Sequence, residues 1–138
     1  MQELYRQVIL DHYKNPRFKG LKGFNQVHLR NPSCGDDITM EAKIEDGVVK
    51  EVHHDGSGCS ICCASASVLC ELMHDKNIEQ ARDLLADYYH LIRGEKVLQE
   101  ELLEEAMAFQ GISQFPARIK CATIAWKAFE ELLGDKDE

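Results

Sequence analysis

Apolar and polar residues alternate most regularly where Ile38, Met40, Ala42 and Ile44 are interleaved with Thr39, Glu41, Lys43 and Glu45. A period of two predicts a strand with one buried face. Asp46-Gly47 then gives a two-residue hairpin signal, so the chain is expected to return as a strand from Val48 to about His54. Ahead of this pair, Phe24 to Leu29 predicts another strand, with Val27 and Leu29 on one face. Leu4, Tyr5, Val8, Ile9 and Tyr13 recur at helical spacing and predict a leading helix that Asn15-Pro16 ends. A loop through Gly20 and Gly23 joins that helix to the first strand.

Beyond Gly56 the period changes from two to about 3.6. Ile61 to Met73 predicts a helix rich in small residues. Asn77 with Gln80 has the form of a cap and its reciprocal partner, and Gly94 that of a helix stop. Between them Ile78, Ala81, Leu84, Leu85, Tyr88, Leu91 and Ile92 make one apolar face. Leu98, Leu102, Ala106 and Phe109 predict a further helix ended by Gly111, its glutamates 100, 101, 104 and 105 forming a solvated face. After Pro116 a last helix carries Cys121, Ala125, Phe129 and Leu132 on one stripe, with Trp126 beside it. Residues 134–138 read as a frayed acidic tail. Strands followed by helices, with no repeat or linker, predict an α+β fold in one domain over residues 1–138.

Composition narrows the function classes. The chain has 138 residues, 44% of them hydrophobic and 29% charged, which suits an ordinary globular protein. No apolar run reaches the length of a membrane span, and the first residues lack a signal-peptide pattern, so a cytoplasmic location is expected. Thiols stay reduced there, and the six cysteines are expected to be ligands, nucleophiles or small core residues rather than disulfides. A net charge of −8 argues against nucleic acid or an anionic membrane as partner.

Three of those cysteines stand in chemically suggestive places. Cys59 follows Gly56-Ser57-Gly58 at a helix start, where unpaired N–H groups and the helix dipole favour thiolate. Cys34-Gly35-Asp36 places a thiol and a carboxylate on a turn that Gly35 allows to fold tightly. Cys121 falls in the first turns of the helix that Pro116 opens. Three thiolates and a carboxylate would fill a tetrahedral zinc site, and would equally suit iron bound with sulfide. Such a set around Zn²⁺ is anionic. Arg118, one helical turn before Cys121, is the candidate to hydrogen-bond a ligand, though a surface arginine is the plainer reading. Lys120 points roughly 100° away around the helix. Cys62 is an alternative ligand or second thiol, while Cys63 and Cys70 share a face and read as core. His53 and His54 go to opposite faces of a strand and read as exposed at its end; His12, His28, His74 and His90 carry no ligand spacing.

The stretches Asp11-His12-Tyr13-Lys14-Asn15-Pro16-Arg17, Asn31-Pro32-Ser33-Cys34-Gly35-Asp36, Gly58-Cys59-Ser60-Ile61 with Ala64-Ser65-Ala66-Ser67, and Arg118-Ile119-Lys120-Cys121-Ala122-Thr123 occur in that order over nearly the whole chain. In them the chain resembles the IscU/NifU N-terminal family of iron–sulfur cluster assembly proteins, most closely its SufU branch. Lys120, where IscU-type members have histidine, and a longer segment between Cys59 and Cys121 favour that branch. Cys62 and Cys63 depart from it and leave room for an extra sulfur relay or cluster ligand. The resemblance implies a small three-stranded antiparallel sheet packed against helices, with a metal site at one end. It implies Cys34, Asp36, Cys59 and Cys121 as ligands of Zn²⁺, with Fe or a [2Fe–2S] cluster as the alternative. It also implies a pyridoxal-phosphate cysteine desulfurase, SufS-like, as partner, with an iron–sulfur scaffold or apo-proteins downstream. The expected function is that of a zinc-bound sulfur acceptor, at most a zinc-dependent sulfurtransferase acting with the desulfurase, with Cys34 as nucleophile because its loop can move. The alternative is a non-enzymatic scaffold that assembles and hands on a [2Fe–2S] cluster. A purely structural zinc site is disfavoured by Asp36, since closed structural sites use cysteine and histidine.

Overall fold

The computed structural model describes residues 3–134, so the acidic stretch 135–138 lies outside the described residues. The order of elements is α1 (Glu3–Lys14), β1 (Asn25–Asn31), β2 (Asp36–Glu45), β3 (Val48–Ser57), α2 (Ser60–Met73), α3 (Ile78–Ile92), α4 (Glu100–Leu103), a 3₁₀ segment (Glu104–Gln114) and α5 (Pro116–Leu133). The fold is α+β. The three strands form an antiparallel sheet in the order β1-β2-β3. Asp46 and Gly47 close the β2–β3 hairpin with φ of 53° and 73°, the left-handed pair that a two-residue turn requires.

One sheet face carries Ile38, Met40, Ala42, Val52 and His54 into the core, where α5 packs on β1 and β2, and α2 on β3. The other face is less open than alternation alone predicts. The loop after α1 folds over it, and backbone N–H groups of Lys22, Gly23 and Phe24 donate to Glu41, which is fully buried. The same loop extends β3 sideways: His54 N–H donates to the Phe18 carbonyl at 3.1 Å, and Gly20 N–H to the His54 carbonyl at 2.8 Å. His53 and His54 are therefore both buried, against the expectation of exposed strand-end histidines. A contact made across more than 30 residues of sequence covers them.

Helix α2 is the centre of the molecule. It packs against α1, α5, β3 and the 3₁₀ segment, and ten of its fourteen residues are buried. Small residues allow that approach, and two buried serines supply the polar joints. Ser65 Oγ donates to the Ala122 carbonyl at 2.8 Å and accepts Trp126 Nε1–H at 2.8 Å. Tyr88, stacked on Trp126 with ring centroids 3.6 Å apart, donates to the same Ala122 carbonyl at 2.7 Å. Ser67 Oγ accepts Arg17 N–H and meets His12 Nδ1, both at 2.8 Å. His12 Nε2 reaches Glu105 at 2.9 Å, so that residue is a tether for α1 as well as part of an acidic face.

Helix α3 has the Asn77–Gln80 capping box, and Gly94 (φ 76°) ends it with paired N–H groups returning to Leu91 and His90. The segment that follows corrects the sequence reading. No helix runs from Leu98 to Gly111. A single α-turn breaks at Glu104, whose φ is 48°, and a 3₁₀ stretch continues through Gly111 to Gln114. Leu98 and Leu102 are 83% and 50% exposed, while Leu103, Ala106, Phe109 and Ile112 are buried. That spacing of three puts all four on one face of a three-residue-per-turn helix.

Candidate metal centre

The sheet brings the candidate ligands to one end. Asn31 pairs with Asp36 and Asp37 with Ser57, so the end of β1, the start of β2 and the end of β3 meet. Helices α2 and α5 start at the same place, with Cys59 as the N-cap of one and Pro116 in the first turn of the other. Gly35, at φ 68°, turns the loop between Cys34 and Asp36. Cys121 is fixed from behind, because the next residue's carbonyl accepts both Ser65 and Tyr88.

Donor atoms of Cys34, Asp36 and Cys121 lie within 4.8 Å of one another. Cys59 lies outside that mutual spacing, but it is near enough to help push the Cys121 thiol up. Cys59 also contributes its backbone, whose N–H donates to Asp36 Oδ1 at 3.0 Å. The neighbouring thiols of Cys121, Cys59 and Cys34 hold the exposed Arg118 guanidinium above its usual range, Cys121 most of all. Cys121 and Asp36 are buried, and Cys34 and Cys59 are half-buried.

The donor set fits a cation. Burial pushes the Cys121 thiol far up, and hydrogen bonding with Cys34, Asp36 and Cys59 pushes it the same way. Several acids crowd together with a single exposed arginine beside them. A thiophilic divalent ion is the group that would let these sulfurs ionise together.

Two residues that the sequence reading left in the background shape this end. Asn31 Nδ2 donates to Asp36 Oδ2 at 3.2 Å and stands 3.9 Å from the Cys121 sulfur, so it orients one acid toward the other. Its place in the Asn31-Pro32 turn was the signal, but turn chemistry accounted for it without a second role. Gly58 is the other: a Cβ there would stand 2.5 Å from Asp36 Oδ1. At Gly56 a Cβ would overlap the Asp37 carbonyl. These glycines permit close backbone approach.

The remaining cysteines divide differently from their sequence faces. Cys62 is fully buried behind the cluster, its thiol pushed far up by burial and then by the Asp36 charge. Cys70 is buried in the core, whereas Cys63 is half-buried with its sulfur 3.6 Å from the Gly58 carbonyl. Lys120 is exposed and lines a groove of about 260 Å³ with Arg30, Asn31 and Lys127 beside the cluster. Among the described residues no helix is long and apolar enough to cross a membrane.

Known proteins are similar to this chain in sequence and in fold. The chain is 43% identical over 132 residues to the zinc-dependent sulfurtransferase SufU of Bacillus subtilis (strain 168), covering 95% of this chain and 90% of that protein. It is 34% identical over 134 residues to the iron-sulfur cluster assembly scaffold protein IscU of Streptococcus pyogenes serotype M1, covering 96% and 84%. A crystal structure of a hypothetical protein matches with a TM-score of 0.90 at 34% identity, over 98% of this chain and 100% of that one. A structure described as an iron-sulfur cluster assembly scaffold protein for the SUF system, from Fervidobacterium islandicum AW-1, matches with a TM-score of 0.83 at 25% identity, over 92% and 94%. The NifU-like N terminal domain family matches residues 4–122, and with the relatives just described this shows that the chain belongs to that family, on its SufU side.

Proposed function

We propose that this protein works in iron–sulfur cluster assembly as a zinc-bound sulfur acceptor, with Cys34, Asp36, Cys59 and Cys121 as the zinc ligands. The observation that carries the reading is the convergence of Cys34, Asp36 and Cys121 within 4.8 Å at the start of two helices. Bound zinc would supply the charge that keeps these sulfurs as thiolates. Arg118 balances part of the remaining negative charge from the rim, and Asn31 with the Cys59 N–H fixes the Asp36 carboxylate.

The partner is a pyridoxal-phosphate cysteine desulfurase carrying a persulfide, and Cys34 is the attacking residue. Cys121 is buried and clamped through Ala122, and Cys59 is tied to the first turn of α2, whereas Cys34 lies on the connecting loop and is half-buried. The Cys34 thiolate attacks the outer sulfur of the partner's persulfide. A new sulfur–sulfur bond forms on Cys34, the old one breaks, and the partner's cysteine leaves as thiolate, with no net oxidation. The persulfide then passes to a scaffold or apo-protein downstream.

A second reading, a scaffold for a [2Fe–2S] cluster, has its support in the IscU relative and in Asp36, an oxygen donor among thiolates. Cys34→Ala compared with Asp36→Ala divides the two. As a sulfur acceptor, Cys34→Ala loses nearly all stimulation of the desulfurase, and Asp36→Ala keeps part of it with weaker zinc binding. As a scaffold, the parent protein stimulates no desulfurase, and Asp36→Ala accumulates a stable coloured cluster. Persulfide trapped by mass spectrometry on Cys59 and never on Cys34 would reassign the nucleophile.

A further inference from the structure

A second group of metal-binding side chains stands at the opposite end of α2. Glu51 and His53 are two apart on β3 and so share a face, and the helix ends beside them at His74. One donor atom from each lies within 4.8 Å of the other two. From the length of α2, at 1.5 Å per residue, this group is roughly 20 Å from Cys59.

Its geometry is prepared rather than accidental. His74 Nδ1 donates to the Cys70 carbonyl at 2.7 Å, which fixes the tautomer and leaves Nε2 as the nitrogen free for a metal. His53 Nε2 is 2.7 Å from Glu51 Oε1, and His53 is only 6% exposed. Aromatic rings hold both imidazoles: Phe18 stacks on His74 at 4.1 Å and meets His53 edge-on at 6.0 Å, while Phe24 stacks on His53 at 6.3 Å. Lys43, paired with Glu51 across the strands, is turned instead to Glu45 at 3.6 Å and to the face of Phe24. The C-terminal end of a helix also favours a cation.

We propose that Glu51, His53 and His74 form a second metal site, for a borderline divalent transition metal such as Zn²⁺ or Co²⁺. Two imidazoles and one carboxylate are a ligand set such ions take, with remaining positions left to water on the open Glu51 side. Binding through Nε2 takes the neutral His53 tautomer with its one hydrogen on Nδ1, so that Nε2 and the Glu51 carboxylate both face the ion. Binding there clamps the loop through Phe18 to the sheet and to the end of α2.

The test is a Co²⁺ titration of the full chain. The sulfur site gives strong sulfur-to-cobalt charge transfer, whereas the second equivalent is expected to add weak visible bands with none. With Cys34, Cys59 and Cys121 all changed to Ser, one equivalent of the weak-band kind should remain. In the otherwise native chain His74→Gln and Glu51→Gln should each weaken that equivalent by more than the roughly 10–100-fold lost with a second-shell partner, with the circular dichroism spectrum unchanged. The site is refuted if no such equivalent binds, if His74→Gln leaves it intact, or if His28→Gln or His90→Gln, which disrupt exposed histidine–carboxylate pairs, remove it equally. Should the sulfur-site reading fail instead, the charge transfer would be missing and the weak-band equivalent would persist.

Discussion

Ser65 and Ser67 belong to the same helix whose N-cap is Cys59, yet the polar groups around them solve opposite problems. Along the body of α2, the hydroxyls meet a tryptophan N–H, a backbone carbonyl, a backbone N–H and a histidine nitrogen. Each donor has an acceptor, so burial costs little and the network joins α1, α2 and α5. At the N-terminal end the groups are mostly acids: Cys34, Asp36 and Cys121 with Cys59 beside them. Burial and these neighbours push the Cys121 thiol well above its ordinary range. The first network is complete and structural. The second is a crowd of acids whose charged forms a bound cation would stabilise. Substitutions should therefore separate the two regions, harming the fold in one and the metal in the other.

The largest effect on stability is expected in the body. Phe109 is fully buried and meets Tyr88 edge to face at 6.2 Å. Phe109→Ala should cost about 3–5 kcal/mol by denaturant unfolding. Leu102→Ala, at a position half exposed, should fall within about 0.5 kcal/mol of the parent. Equal losses at the two would restore the continuous amphipathic helix that the sequence predicts for this segment. Ser65→Ala comes next, at about 1–3 kcal/mol, because it leaves the Trp126 N–H unpaired in the core. Zinc affinity should be nearly unchanged in Ser65→Ala, because Tyr88 still donates to the Ala122 carbonyl beside Cys121. A large loss of metal without a loss of stability would mean that the two regions are not separate.

The contrast also explains what the amino acids alone reveal. The alternation at Ile38–Glu45, the Asp46-Gly47 turn and the Asn77–Gln80 cap are local, and periodicity or turn chemistry specifies them. Cys34, Asp36 and Cys121 were readable because thiols and carboxylates announce themselves by type, and the sheet ends place them together. Ala106 and Phe109 fit a period of three as well as one of 3.6, so the 3₁₀ segment needed Leu103 and Ile112 to be recognised. Buried Glu41, His53 and His54 were hidden because a distant loop covers them. The meeting of His53 with His74, 21 positions apart, follows no ligand spacing.

At the other end of α2, Gly58→Ala sharpens the comparison with a smaller change. The added methyl meets Asp36 Oδ1 at 2.5 Å and must displace the carboxylate from the Cys59 N–H. Zinc affinity should fall about tenfold, close to 1.4 kcal/mol, measured by competition with a chromophoric chelator. Unfolding of the metal-free protein should barely change, since the core is elsewhere. A metal-free protein that loses several kcal/mol would show that the close approach at Gly58 serves the fold instead.

The smallest effect concerns pH and belongs to the complete network. Burial holds the His54 imidazole below its ordinary value, and the hydrogen bond from Nε2 to the Arg17 carbonyl at 2.9 Å offsets this only in part. The unfolded chain thus binds a proton at higher pH than the folded one. The stability carried by this neutral histidine is whole above the unfolded value of about 6.5, and is lost as pH falls below it toward the folded value. His54→Gln keeps a side-chain N–H for the Arg17 carbonyl and removes the titration. Between about pH 7 and about pH 5 the parent protein should lose stability in urea more steeply than the variant. Other carboxylates and histidines titrate alike in both, so the difference in slope isolates His54. Parallel curves would mean that the buried imidazole gains its proton without disturbing the loop bonded to β3, and that the strand edge there opens to water more readily than its two backbone hydrogen bonds imply.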